Sequence, residues 1–124
     1  MTTAKEIVYT FLTPADKVLV VHRRLFPGDR PRYFVAVVDA FNETNGLLRV
    51  TGWSLAETKT GTHIVKKAEP RTKIVALTSG TIFVYVLPPE TDVSSCRLRK
   101  DKEGRIMLED ARARRLDLTE VPPG

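Results

Sequence analysis

From residue 16 to residue 86 the chain alternates short apolar runs with turn signals and with islands of lysine and arginine. D-K-V-L-V-V-H-R-R-L-F leads into P-G-D-R-P-R, then Y-F-V-A-V-V-D-A-F, N-E-T-N-G and L-L-R-V-T-G-W. The runs carry no polar stripe at a 3.6-residue period, and their Val, Phe and Tyr content suits a pleated surface. Strands separated by turns this short pair with their chain neighbours. The rhythm therefore predicts a compact, antiparallel, mostly β domain.

Val18, Val20 and Val21 are β-branched and crowded, which predicts a strand over residues 17–26, fed by a turn at Thr13-Pro14-Ala15-Asp16. Residues 5–12 read as a further short strand, on Ile7, Val8, Tyr9 and Thr10, with an N-terminal helical turn as the alternative. Pro27 and Pro31 cannot donate to a ladder and Gly28 permits a positive φ, so residues 27–31 are a turn. Residues 33–41 form the strongest strand, apolar on both parities until Asp39. Such a strand is covered on both sides or bends within a small barrel. Asn45-Gly46 is a hairpin signal, and residues 47–53 return as a strand in which Gly52 marks a bulge or sharp bend.

Residues 54–63 read as a loop and 63–67 as a short strand, and A-E-P-R-T-K is another turn. Residues 73–77 and 81–87 read as strands broken at Thr78-Ser79-Gly80, and Pro88-Pro89 ends the rhythm. The expected fold is all-β: a small, strongly bent antiparallel barrel over residues 1–89, with a C-terminal β-hairpin extension over 90–124 packed on the same domain. In that extension, residues 95–100 and 105–109 flank D-K-E-G, and Leu116, Leu118 and Val121 alternate as in an edge strand.

At 124 residues one domain is expected, because a chain this long buries roughly two-thirds of its unfolded surface without metals or disulfides. A hydrophobic share of 42% and a charged share of 28% argue against wholesale disorder. No apolar run approaches the roughly 20 residues that span a bilayer, and residues 1–12 lack the features of a signal peptide. Cys96 is the single cysteine, so no intramolecular disulfide forms and a reducing, cytoplasmic location is expected.

No constellation supports an enzyme. One cysteine and two histidines, His22 and His63, have no metal-ligand spacing, so neither a structural metal nor a cofactor is expected. No G-x-S-x-G elbow, C-x-x-C pair or phosphate loop is present. Cys96 sits near Arg97 and Arg99, yet a space-filling cysteine on a strand is the simpler reading. Asp39 is the one carboxylate inside the strongest strand, where it can accept hydrogen bonds from the turn at residues 42–45.

The charge is informative through its placement. The net +5 comes from three islands of +4 each, at residues 17–32, 59–73 and 97–115, in an otherwise acidic chain. Solvated turns and strand edges account for any single island, whereas islands facing one way make a patch for polyanions. Cationic grooves with aromatic faces hold single-stranded nucleic acid. Arg23 and Arg24 with Phe26, and Arg30 and Arg32 with Tyr33, combine the two residue types. Lys66, Lys67, Arg71 and Lys73 form a second cationic turn.

Two segments, F-V-A-V-V-D-A-F-N-E-T-N-G-L-L and I-V-A-L-T-S-G-T-I-F-V-Y-V, resemble the Sm and Sm-like family of small RNA-binding barrels. Phe41 matches the aromatic residue of the first motif, Asn42 its usual aspartate and Asn45 its asparagine, while Gly80 matches the glycine of the turn in the second. Ala36 stands where the family has a bend glycine, and Ser79 where its arginine precedes the turn glycine. The resemblance covers roughly half the chain. It implies an SH3-like or Sm-like barrel and adds Asn42 and Asn45 to the candidate RNA contacts. The expected function is a non-enzymatic binding module for RNA or another polyanion. The alternative is a protein-interaction or homo-oligomeric subunit that uses an exposed strand edge.

Overall fold

The computed structural model describes residues 11–23, 31–57, 64–112 and 115–118. Among the described residues nine strands form two antiparallel sheets. The larger contains β1 (Lys17–His22), β2 (Arg32–Asn42), β3 (Leu47–Glu57), β4 (Ile64–Lys66), β5 (Arg71–Ala76) and β6 (Ile82–Val86). Its order is β4-β3-β2-β1-β6, with β5 paired to the first half of β3 and β4 to the second. The smaller sheet is β7 (Arg97–Lys100), β8 (Ile106–Glu109) and β9 (Arg115–Asp117), in that order. Among the described residues no helix is long and apolar enough to cross a membrane.

The two-sided apolar character of β1 and β2 has a direct cause. Leu19, Val21, Tyr33, Val35 and Leu55 face the small sheet and pack with Leu98, Leu108 and Leu118. The alternate residues Val18, Val20, Phe34, Ala36 and Val38 pack with Leu48 and Val50 on the other side. Val75, beside β3, and Val84, on β6, join this second cluster although they lie at opposite ends of the sheet. The sheet is therefore curled around it. Burying each such side chain stabilises the fold by about 1.5–3 kcal/mol, so both faces of β1 and β2 hold the domain together.

Two devices produce the curl. The ladder between β2 and β3 shifts register between Val38 and Ala40, a bulge that leaves Asp39 as the extra residue. Gly52 lies directly across from Ala36, and a Cβ there would stand 2.0 Å from the Val35 carbonyl oxygen and 2.5 Å from the Ala36 Cα. The two backbones thus approach more closely than any side chain allows. The bend glycine is on β3, opposite the alanine of β2.

Several expectations are corrected. Residues 54–57 continue β3 instead of forming a loop, because β2 holds one edge and β4 the other. Arg71 and Thr72 belong to β5 and pair with Gly52 and Thr51. In the C-terminal extension β9 lies where the edge strand is expected and adds to the hairpin of β7 and β8. No pairing among the described residues joins β5 to β6, so the described strands do not close the expected barrel. The expected strand at residues 5–12 falls mostly outside the described residues, as do Val121 and the end of the strand at 17–26.

The turn at Thr13–Asp16 is closed by the Asp16 amide donating to the Thr13 carbonyl at 3.1 Å, with Ala15 at φ 76°. A type II turn puts a positive φ at this third position and favours glycine there. An L-residue in the left-handed region costs about 1–2 kcal/mol. Ala15→Gly is accordingly expected to stabilise the protein by about 1 kcal/mol, after the extra unfolded-state freedom of glycine is subtracted. Urea denaturation measures this, and an unchanged or lower midpoint would contradict it.

Candidate functional site

The curl leaves a cleft of about 580 Å³ lined by residues of β1, β2, β3 and β5, with Lys67, and with Ile82 from β6. Val20, Phe34, Leu55, Val75 and Ile82 supply its apolar lining. Its basic lining is His22, Arg32, Lys67 and Lys73, with no carboxylate among the described lining residues. The strand register brings them together. His22 pairs with Arg32 across β1 and β2, while Lys73 pairs with Val50 on the concave side of the sheet.

Lys73 is the best-defined group in the cleft. Its Nζ lies 4.5 Å from the centre of the Phe34 ring and donates to Ser54 Oγ at 3.3 Å. Burial of the ammonium lowers its pKa first, and repulsion from Arg32 and Arg71 lowers it further. A cluster of cations without a counter-charge is a site that an incoming anion would relieve.

Other sequence candidates are placed differently. Tyr33 is 5% exposed and packs in the core beneath the small sheet, so it offers no open face for stacking. Phe34, at 4% exposure, is covered by Lys73. Arg23 stacks on Phe83, 4.7 Å from the ring centre, in a separate recess that includes Tyr85 and Ile106. Lys66 lies over Trp53 at 5.0 Å and donates to the Ser94 carbonyl, and Lys17 donates to the Thr91 carbonyl at 2.5 Å. Both lysines tie the segment before β7 to the large sheet. Burial lowers the pKa of Lys66.

Asn42 and Asn45 build the turn between β2 and β3. Their Oδ1 atoms accept from the amides of Thr44 at 3.0 Å and Leu47 at 3.1 Å, and neither residue lines the cleft. Arg24 and Arg30 lie outside the described residues, as does His63. The third basic island sits on the small sheet with its own acids. Arg99 and Arg115 stand 3.5 and 3.7 Å from Glu109, and Arg105 stands 3.1 Å from Glu103. Parts of two islands thus meet at the cleft, and the described residues of the third contribute nothing to its lining.

His22 and Ser54 were absent from the sequence candidates as binding groups. A lone histidine in an apolar strand carries no binding signal by itself, and only the pairing with Arg32 places it here. Asp39 is exposed and accepts from Thr51 Oγ1 at 2.6 Å instead of from the turn backbone, because the bulge re-aims it. Among the described residues no group of three or more His, Cys, Asp or Glu side chains could hold a metal ion.

Cys96 is 1% exposed and precedes β7 instead of lying on a strand. Burial raises its pKa to about 11, and the neighbouring Asp110 adds to the shift. The folded thiol is therefore expected to resist alkylation at pH 8 and to react only on unfolding. Because the folded pKa exceeds the unfolded value of roughly 8.5, its stabilising contribution is complete below that pH. It is lost as pH rises from about 8.5 to 11. Stability relative to Cys96→Ala should fall across that window, and a flat difference or rapid labelling would refute the assignment.

Thr91 Oγ1 is buried without a hydrogen-bond partner among the described residues. Thr91→Val keeps the shape and removes the unmet polar group, with an expected gain of about 1 kcal/mol in urea denaturation. A loss of similar size would show that the hydroxyl is satisfied.

No protein-family model, no curated protein and no solved structure matches this chain.

Proposed function

We propose that the protein is a non-enzymatic binding module that takes an extended anionic partner in the cleft beside Lys73. The observation that carries this reading is the convergence of His22, Arg32, Lys67 and Lys73 with no carboxylate among the described residues of the same lining. Its volume also lies within the range of about 300–1,000 Å³ typical of ligand sites. The apolar floor lowers the local dielectric and strengthens each charge contact.

The large sheet is read, in the same proposal, as a small bent barrel of the SH3-like or Sm-like kind left open at one seam. Support comes from the long bent β3, shared between β4 and β5, and from the 3-10 turn Leu77–Ser79 with left-handed Gly80 joining β5 to β6. The cleft is then the open seam.

Fluorescence anisotropy with labelled single-stranded RNA and with labelled oligoglutamate, across a salt series, tests the charge reading. RNA contacts by Arg32, Lys67 and Lys73 predict a log–log salt slope of about −2, from about 0.7 per phosphate neutralised. Failure of both probes to bind at low salt would end the proposal.

A further inference from the structure

β5 and β6 both contribute to the cleft lining, and their register shows which backbone groups face outward. The Leu77 amide donates to the Gly46 carbonyl at 2.9 Å, which makes that pair a hydrogen-bonded one in the ladder of β3 and β5. Bonded pairs alternate along an antiparallel ladder. The backbone groups of Arg71, Lys73 and Val75 therefore bond to β3, and those of Thr72, Ile74 and Ala76 point away from it. On β6 the amide bonds from Leu87 to Lys17 and from Arg23 to Thr81, both 2.8 Å, set the same alternation. Ile82, Val84 and Val86 point away from β1. Among the described residues no strand pairs with either outer edge.

β5 is the more open edge. Ile74, Val75 and Ala76 line the cleft beside Lys73, and Ile74 is 70% exposed. An uncovered edge with an exposed apolar side chain is a template for another strand. Side chains of an added strand alternate between the two faces. A residue opposite Lys73 would point into the cationic cleft, and one opposite Ile74 would cover that isoleucine. A row of alternating amides and carbonyls complements an extended peptide backbone donor for acceptor, whereas phosphates only accept and can use the amides alone. Among the described residues the aromatic rings that line the cleft, Tyr33 and Phe34, are buried.

We infer that the anionic partner is an acidic, extended peptide segment of another protein. It adds as a strand to the outer edge of β5, with carboxylates toward Arg32, Lys67 and Lys73 and apolar side chains over Ile74. This rests on the charge reading above and names the class of partner. A second copy of the chain would bring another cationic β5 edge, Arg71 with Lys73, against the first.

The experiment uses three probes with the whole chain: an eight-residue capped peptide of alternating Glu and Val, the same peptide with Pro for each Val, and an oligouridylate. Hydrogen exchange by NMR reads the amides of Thr72, Ile74 and Ala76. The Glu-Val peptide is expected to bind and to slow those three amides at least tenfold. The Glu-Pro peptide keeps the charge but cannot donate from its proline positions, and should bind at least tenfold more weakly. Equal binding of both peptides without protection at β5 would overturn strand addition while the charge reading stood. Oligouridylate binding more tightly than either peptide would do the same and assign the cleft to nucleic acid. Concentration-dependent protection of β5 without peptide would assign the edge to self-association and overturn the inference. If no probe binds at low salt, the charge reading falls too.

Discussion

Gly52→Ala is expected to destabilise the protein by about 3 kcal/mol or more, at the upper end of what overpacking costs. The added methyl would stand 2.0 Å from the Val35 carbonyl oxygen, 2.5 Å from the Ala36 Cα and 2.7 Å from the Ala36 Cβ. Two of these are backbone atoms of a strand bonded on both edges, so they cannot swing aside like a flexible side chain. Relief requires β2 and β3 to separate at the bend. That separation would open both cores at once, since Val35 belongs to one and Ala36 to the other. Guanidinium denaturation and calorimetry measure the effect, with a fall in Tm on the order of 10 °C. Gly104→Ala is a useful contrast, because nothing lies within 4 Å of its added methyl and only its φ of 84° opposes the change. A Gly52→Ala protein within 0.5 kcal/mol of the parent would show that the strands are farther apart than described.

The second large effect is on binding. Lys67→Glu combined with Lys73→Glu should weaken an anionic probe at least 100-fold at low salt and flatten its salt dependence. Each substitution removes one cation from the cleft and introduces one anion, changing the sign of half its basic lining. Stability should fall by only about 1 kcal/mol, chiefly from losing the contact of Lys73 with the Phe34 ring. Lys100→Glu with Lys102→Glu changes net charge equally on the small sheet, away from the cleft. If that control weakens binding as much, attraction is due to overall charge and the cleft is not the site.

Much of this architecture is legible in the residues. The two-sided apolar run of β2 announces a strand covered on both faces, and the packing of Val35 outward and Phe34 inward is how that is realised. Asn45-Gly46 marks the turn between β2 and β3, where Gly46 takes φ 69°. The extent of β3 is less legible. Ser54, Leu55 and Ala56 carry no strong strand signal, and pairing on both edges holds them extended. The bulge is hidden too, because Asp39 resembles a strand-end acceptor until the register shift turns it toward Thr51.

For the candidate site, sequence identifies cations and tertiary structure sorts them. Lys66 and Lys67 are adjacent, yet alternation along an extended chain sends one toward Trp53 and the Ser94 carbonyl and leaves the other at the cleft. Tyr33 and Arg32 separate for the same reason, the tyrosine ring being buried in the core while the arginine stays exposed at the cleft. The sequence alone determined an antiparallel β domain, its principal turns and three basic islands, because these follow from side-chain type and local spacing. Which charges meet, where the sheet stays open and which aromatics are buried were decided only in three dimensions. Those properties depend on the parity of each residue against strands far away in the chain. No local pattern contains that pairing.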